Sequence, residues 1–581
     1  MSRRFRTHIA RSLASLLLSS DSTNPPEALD PHLLPLVISN KHKEADASAT
    51  PYAISIHHLL RLLPTLPSIY TLNPELTSIH AAPDLAHAIA ASWPCDDHVE
   101  GAAAAGGFVN FTVCRGTFMK VVLTELGAGR IVLPEMDENP GDRRKVVMVE
   151  YALPPPGRLY EATHWRSAVV AGFVVRGSRA RGWDVRSRSR CLGDAGEEVR
   201  FDVDVGALGS VSGDEVLWAL RKAVVEQGSS STATEVDWDI WRAWQAAHQS
   251  HLNSISSPLC VTLDCPTTFH ASSIITATVA TLTALGGPKS TSQTLDLTPY
   301  NLGTLPLLTA TNRPTRALRD IILALQAADQ GVTDVYCVSK MGRRYAIDQV
   351  QMATRLLGCG VVLTDIPVAA IAGMAAFDAP RTTDVVSSTT YISRTTRWMH
   401  RIMADRLPDE EGDADRDAPT ASATPRALAL TTLQTHTLAP KRTTAFTFAW
   451  PALRAGSDVG VYIQYTHARL TSILAHVPRS SHPPQSQAGD LATAREAYAL
   501  VHLLSRYPAA LRTAIAAHEP AILLTYLVEL CTKVGGALGG LRVKGMRADV
   551  ARARGQVVRV VRGVVREGLA VLSGVHGVER M

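Results

Sequence analysis

VVMVEYALPPPGRLYEATHWRSAVVAGFV, residues 146–174, decides the fold. Val146–Tyr151 is a short run of apolar and β-branched residues with a single acid, the pattern of a strand buried on both faces. Three prolines at 154–156 end any ladder, because proline lacks the donor a strand needs. Ser167–Val175 with its flanks is then apolar over a helical length. A buried strand delivered into a helix opens a βαβ unit. Further along, Val335–Ser339 (VYCVS) and the periodic segment Ile347–Leu357 repeat the alternation. The central region is therefore predicted to be α/β with a parallel sheet.

Working outward, the chain from Tyr462 onward reads as almost wholly helical. Its stretch Leu541–Glu567 carries eight Arg or Lys against two acids, a basic helical surface suited to a solvated face or to nucleic acid. The opening MSRRFRTHIARSLASLLLSS places Leu13, Leu16 and Leu17 on one face of a first helix. Being Arg- and Ser-containing and acid-free, it also fits a mitochondrial transit peptide, the minor alternative to a cytoplasmic protein. Composition breaks at Gly101–Gly107 (an Ala/Gly hinge), Asp405–Asp417 (an acidic run followed by Ala, Thr and Pro to Pro425) and Arg479–Ala488. They divide the chain into an N-terminal add-on domain (1–135), a central domain (136–400), a linker (401–425) and a C-terminal helical domain (426–581).

At 581 residues the chain is long enough for three to four domains of about 150 residues each. With 46% hydrophobic and 19% charged residues it has ample core. The net charge of +5 neither requires nor excludes nucleic acid, although only ten of the 58 basic residues are Lys. Eight cysteines without a CxxC pair suit a reducing compartment. The longest clean apolar run, Ala168–Val175, is far short of the roughly 20 residues that span a bilayer. No phosphate-binding G-x-x-x-x-G-K-[ST], G-x-S-x-G elbow, HExxH or paired metal-ligand spacing is present, so no metal site is expected.

Taken in order, several segments resemble the arginyl-tRNA synthetases, class I enzymes with a helical anticodon-binding domain. Pro94–Glu100 with Gly106–Phe111 (GGFVNF) resembles the end of their add-on domain, which touches the tRNA elbow. Val146–Val174 resembles their first strand, signature loop and following helix, and Cys191–Gly196 (CLGDAG) their next strand-end turn. Val459–Leu474 (VGVYIQYTHARLTSIL) resembles the opening of the anticodon-binding domain, continued by Tyr507–Val534 and a terminal VERM. The resemblance covers nearly the whole chain. It implies a class I synthetase-like Rossmann catalytic domain with a reduced insertion, preceded by an α+β add-on domain. It places Glu150, Arg166 and Gln349 among substrate-binding residues, and Tyr462, Gln464, Tyr465, His467 and Arg469 on the tRNA.

The departures from that family shape the expected function. Class I ligases use H-x-G-H to hold ATP; here the segment is Glu161-Ala162-Thr163-His164. Glu161 sets a carboxylate where triphosphate charge would lie, a repulsion of about 1–4 kcal/mol at ~4 Å depending on dielectric. Thr163 puts a branched side chain where glycine fits. The second, lysine-bearing loop should fall near Gly373–Val386, which has no lysine. Val338–Arg344 (VSKMGRR) contains Ser-Lys-Met but falls, by order, at an earlier strand end. Pro155 replaces an asparagine of the free-arginine pocket, Leu307 and Thr311 its Tyr and Asp, and Ala346 the His partner of Gln349.

The resulting expectation is an aminoacyltransferase that uses no ATP. Charged tRNA already carries an activated ester, and an α-amino group with a reference pKa of about 8 can attack it. On this reading the chain is similar to the arginine-containing cyclodipeptide synthases, taking arginyl-tRNA and a second aminoacyl-tRNA to a diketopiperazine. Their D-D-x-x-E cluster is matched by Asp96-Asp97-His98-Val99-Glu100. On a helix, Asp96 or Asp97 would share a face with Glu100 and could serve as a general base. Glu161 and His164 are the rival acid/base pair, and Ser167 the nearest, more structural, hydroxyl. A divergent arginine–tRNA ligase and a non-catalytic tRNA-binding paralogue are the alternatives. No DNA or membrane partner is expected, and a monomer is.

Overall fold

A computed structural model describes residues 3–39 (except 20, 21 and 23), 52–127 (except 68), 145–153, 162–191, 272–374 (except 311 and 313), 388–404, 419–448, 458–478 and 495–581. The longer helices are α1 (Arg3–Leu17), α2 (Ile56–Leu62), α3 (Ala82–Ala91), α4 (Arg115–Gly127), α5 (Ala162–Ala180), α6 (Ser272–Leu285), α7 (Arg316–Asp329) and α8 (Arg344–Leu356). They continue with α9 (Ser388–Ala404), α10 (Pro419–Leu438), α11 (Val459–Ala475), α12 (Arg495–Ser505), α13 (Tyr507–Ala516), α14 (Pro520–Ala537) and α15 (Ala548–Ser573).

The N-terminal part is an antiparallel sheet of β1 (Val37–Ser39), β2 (Tyr52–Ser55), β3 (Val99–Ala105) and β4 (Phe108–Val113), in the order β1-β2-β4-β3. Leu13 and Leu17 of α1 are fully buried, as the first-helix reading of the opening residues requires. Gly101–Gly107 is not a hinge but part of a hairpin. Its Ala-rich residues form β3, and Gly106 and Gly107 make a two-residue turn with φ of 54° and 80°. Both angles lie where only glycine is comfortable, and a turn with positive φ at both positions matches the twist of the strands.

The central sheet is parallel, with β5 (Val146–Leu153), β6 (Asp184–Cys191), β9 (Asp334–Lys340) and β10 (Val362–Val368) in the order β10-β9-β5-β6. Strand alternation sends Val147, Val149 and Tyr151 towards the large core shared with α5, while Met148, Val335 and Cys337 form a second cluster with residues of α7 and α8. The order of strands reverses between β5 and β9. In open parallel sheets ligands bind beyond the carboxyl ends of the strands at such a reversal. A small hairpin, β7 (Thr294–Asp296) with β8 (Thr304–Pro306), packs on α6 and α7 around Leu295, Leu305 and Leu307.

Helices dominate the rest. The expected linker 401–425 is narrower than its composition suggests, since α9 runs to Ala404 and α10 begins at Pro419. Proline at the first helical position has no donor to waste. α9 packs on α10, so it sides with the C-terminal helices. α14 is the only described helix long and apolar enough to cross a membrane, yet Leu523, Leu524, Leu527, Leu530 and Val534 on it are buried against neighbouring helices. That is the signature of a core helix in a bundle.

Candidate functional site

The position of the candidate site follows from the sheet. β5 ends at Leu153 and the next described element is α5, whose first turn, Ala162–His164, therefore follows the carboxyl end of that strand. Glu161 and residues 154–160 lie outside the described residues, and of His164 only its place in that first turn is described. Beside them, β9 ends at Lys340, and Met341 and Gly342 turn the chain into α8. Gly342 does so at φ 94°, a conformation that disfavours any side chain. Ser339 is buried, whereas Lys340 and Arg344 are exposed on the rim. Ser339 donates to Asp365 Oδ1 at 3.5 Å, and Arg343 pairs with Asp320 at 3.0 Å. Burial pushes the Asp365 carboxyl up despite the opposing Ser339 bond and nearby arginines. The Ser-Lys-Met segment thus sits at a strand end, the place its order implied.

Glu150 is 2% exposed and is not an open pocket residue. It stands directly across from Arg188 of β6 and Cys337 of β9, so all three side chains share the sheet face covered by α7. Arg188 donates to the Glu150 carboxylate, and to the Leu323 carbonyl of α7 at 3.3 Å. Burial lowers the Arg188 pKa to about 10, opposed by the field of Cys337 and Asp320. A free arginine would have to displace a guanidinium that the chain itself supplies. Sequence reasoning missed Arg188, although the alternating Arg186, Arg188 and Arg190 of β6 were its signal.

Arg166 is fully buried and acts as a clamp rather than a ligand. Its Nη1 donates to the carbonyls of Ala369 and Thr444, both at 2.8 Å, and its Nη2 to Lys441 at 2.9 Å. The guanidinium also lies 4.9 Å from the centre of the Phe446 ring. Burial brings its pKa down to about 10 even with Glu519 nearby. Gln349 is likewise committed, donating to the carbonyls of Leu302 (2.8 Å) and Thr304 (3.3 Å) and so pinning the small hairpin to α8. Leu307 is core, and Ser167 is buried.

The D-D-x-x-E cluster is not helical. Asp96, Asp97 and His98 form a turn, and Glu100 is an exposed residue of β3 at an irregularity between Val99 and Gly101. The cause is Asp96 itself. Its Oδ1 accepts the N–H groups of His98 (2.7 Å) and Val99 (2.9 Å), a local closure that competes with helix formation. The one-face argument for Asp96 or Asp97 with Glu100 therefore fails on geometry.

On α11 the residues expected on tRNA separate into two groups. Gln464 and His467 face inward. Gln464 donates to Thr431 Oγ1 (3.0 Å) and the His576 carbonyl (3.3 Å) and accepts the Val578 N–H (2.8 Å). His467 Nδ1 meets the Val578 carbonyl at 2.9 Å, and burial holds its pKa below the usual range. Tyr462, Tyr465 and Arg469 lie on the exposed side. Their spacing of three and four residues sets them along one stripe, an aromatic and cationic surface suited to stacking on bases and meeting phosphate.

Residues 463–581 match the family described as the DALR anticodon binding domain. The cytoplasmic arginine–tRNA ligase of Saccharomyces cerevisiae is 23% identical over 548 residues, covering 86% of each chain. That yeast's mitochondrial arginine–tRNA ligase is 33% identical over 144 residues, 24% of this chain and 22% of its own length. Among solved structures, Thermus thermophilus arginyl-tRNA synthetase superposes over 100% of both chains with a TM-score of 0.69 at 17% identity. The Plasmodium falciparum arginyl-tRNA synthetase covers 100% of this chain and 99% of its own with a TM-score of 0.67 at 12% identity.

These relatives overturn two expectations. The matched proteins are ligases, which drive ester formation with ATP, so the reading without ATP does not stand. Nor does the cyclodipeptide synthase assignment with its second aminoacyl-tRNA, since the curated relatives it matches here are arginine–tRNA ligases. By fold this is an arginyl-tRNA-synthetase-like chain, class I in its α/β core and carrying a C-terminal DALR anticodon-binding domain.

Proposed function

We propose that the chain is an arginine–tRNA ligase, holding tRNA on the stripe Tyr462, Tyr465 and Arg469 and joining arginine to it beyond the carboxyl ends of β5 and β9. The observation that carries this reading is the collinearity of a class I sheet and a DALR domain with the yeast cytoplasmic ligase over 86% of both chains. ATP, as co-substrate, supplies the activation. Among the described residues, Lys340 and Arg344 on the rim, the latter also paired with Asp348, are cations available to its phosphates, and the first turn of α5, with His164, offers backbone N–H groups to the same space. We assign the chain to the cytoplasm, in line with the yeast cytoplasmic relative. We keep three functional parts, the N-terminal one over 1–135, the central one from 136 to the start of α9, and the C-terminal helices that α9 joins.

A second reading, a non-catalytic tRNA-binding paralogue of the ligases, is favoured by one specific set of residues. Glu161 and Thr163 stand in the ATP signature, residues 373–386 lack a lysine, and Glu150 is already neutralised by Arg188. ATP–pyrophosphate exchange with arginine in the presence of tRNA, followed by charging of that tRNA, separates the two. Turnover of both supports the ligase. Salt-sensitive tRNA binding without exchange or charging would replace it with the second reading.

A further inference from the structure

His8 on α1 and the pair Asp96 and His98 in the turn before β3 converge on the surface of the N-terminal part, their ligand-capable atoms all within 4.8 Å of one another. His8 Nε2 is 2.6 Å from Asp96 Oδ2. The two imidazoles stack with centroids 4.6 Å apart and 24° between their planes. Asp96 and His98 are each oriented by a further contact. Asp96 Oδ1 is occupied by two backbone N–H groups, which leaves Oδ2 turned to His8. The His98 ring packs edge-on to the buried Phe5 ring at 5.4 Å. His8 and Asp96 keep 29% and 38% of their side-chain surface, so a solvated cation can reach them.

We propose that His8, Asp96 and His98 form a site for a divalent transition-metal ion, with zinc the best chemical fit. Two imidazoles and one carboxylate are ligands of zinc and its neighbours, and three protein ligands leave a fourth position for water. Magnesium and calcium prefer all-oxygen sets and suit this one poorly. Tetrahedral ligands at about 2.0–2.1 Å from zinc lie about 3.3 Å apart. Binding therefore asks His8 and Asp96 to part by less than 1 Å from their 2.6 Å contact and one imidazole to turn out of the stack, since a metal lies in the plane of each ring that binds it. The contact between that pair occupies the place the cation would take. Fixing Asp96 through Oδ1 is the kind of outer support that metal ligands use. The separation of 88 positions from His8 to Asp96 explains why no spacing motif revealed the site.

The test uses the full chain, stripped with a chelator that is then removed. Zinc chloride is titrated by calorimetry, and cobalt(II) is followed by its visible absorption. One zinc per chain at micromolar or tighter Kd, and a cobalt spectrum of low coordination number, are expected. His8→Gln and His98→Gln should each weaken zinc by at least about tenfold, the effect that even outer-shell changes produce. Asp96→Asn keeps the turn, because its amide oxygen still accepts both N–H groups, and should weaken zinc comparably. Zinc should raise the apparent Tm of the wild type and not that of the double histidine variant. Absence of stoichiometric binding, or binding that His98→Gln and Asp96→Asn leave unchanged, overturns the site and marks the ion as adventitious. None of these readouts depends on ligase activity.

Discussion

Glu150→Met and Arg188→Met test whether the ion pair beneath α7 is a structural unit. The two side chains are 2% and 6% exposed, so breaking the pair from one side leaves a charge with little water to take it up. Such losses cost about 3–5 kcal/mol, whereas replacing both partners with apolar groups of similar volume is close to neutral. For a unit of 150–250 residues this is a fall of roughly 6–20 °C in the central transition. The structure also predicts an asymmetry. Arg188 without Glu150 keeps the Leu323 carbonyl and the field of Asp320. Glu150 without Arg188 loses its cation and keeps the Cys337 thiol, a weak donor at 4.0 Å, so Arg188→Met should cost more. That excess should shrink as pH is lowered, because a protonated carboxyl no longer needs a cation. Differential scanning calorimetry of the two single variants and the double completes the cycle. A double variant as unstable as the sum of the singles would refute the reasoning, as would equal and pH-independent losses.

The remaining predictions use other parts of the molecule. His518, at φ 51°, lies beside the Tyr336 ring, and burial, then Arg442 and Arg181, push its pKa to about 4. It is neutral when folded, so its contribution is intact above the unfolded pKa of about 6.5 and is lost as pH falls from there to about 4. The difference of about 2.5 units bounds this at about 3 kcal/mol. His518→Asn, which tolerates the left-handed backbone, should flatten stability over that window; an unchanged pH–Tm curve would refute it. Arg469→Ala should reduce the salt slope of tRNA binding by about 1, measured by filter binding across salt concentrations. Gln464→Ala should instead lower the Tm through about 1–3 kcal/mol of lost buried bonding, with an unaltered salt slope. Gly568→Ala on α15 would place a Cβ 2.6 Å from Leu527 Cδ2, and unfolding should show about 1–3 kcal/mol of overpacking.

What the sequence made legible was whatever short-range pattern controls. The run Val146–Tyr151, the strand Val335–Ser339 and the helix Val459–Leu474 each carry their own periodicity, and each lies inside the element observed, β5, β9 and α11. Site residues were harder to assign because identity does not disclose orientation. Gln464 and Tyr465 are neighbours on one helix, yet one grips residues 576–578 while the other faces out. Arg166 reads as a substrate residue until three carbonyls from distant segments are found on it. The Asp96 cluster was misjudged because its helical spacing was taken alone, when an aspartate closing on its own backbone stops a helix. His8, Asp96 and His98 were invisible for a simpler reason, since only the tertiary fold brings α1 to that turn.

α5 is held at two points. Arg166 binds the carbonyls of Ala369, Lys441 and Thr444, and ten residues later Arg176 donates to the Val571 (2.8 Å) and Leu572 (2.7 Å) carbonyls at the end of α15. Those last carbonyls have no partner within their own helix, so Arg176 closes a terminus that would otherwise need water. A helix advances 1.5 Å and turns about 100° per residue, so ten residues fix both the reach and the bearing between the two arginines. Adding or removing one residue between them would swing the second arginine about 100° off its target. Within this stretch the chain can drift in composition but not in length.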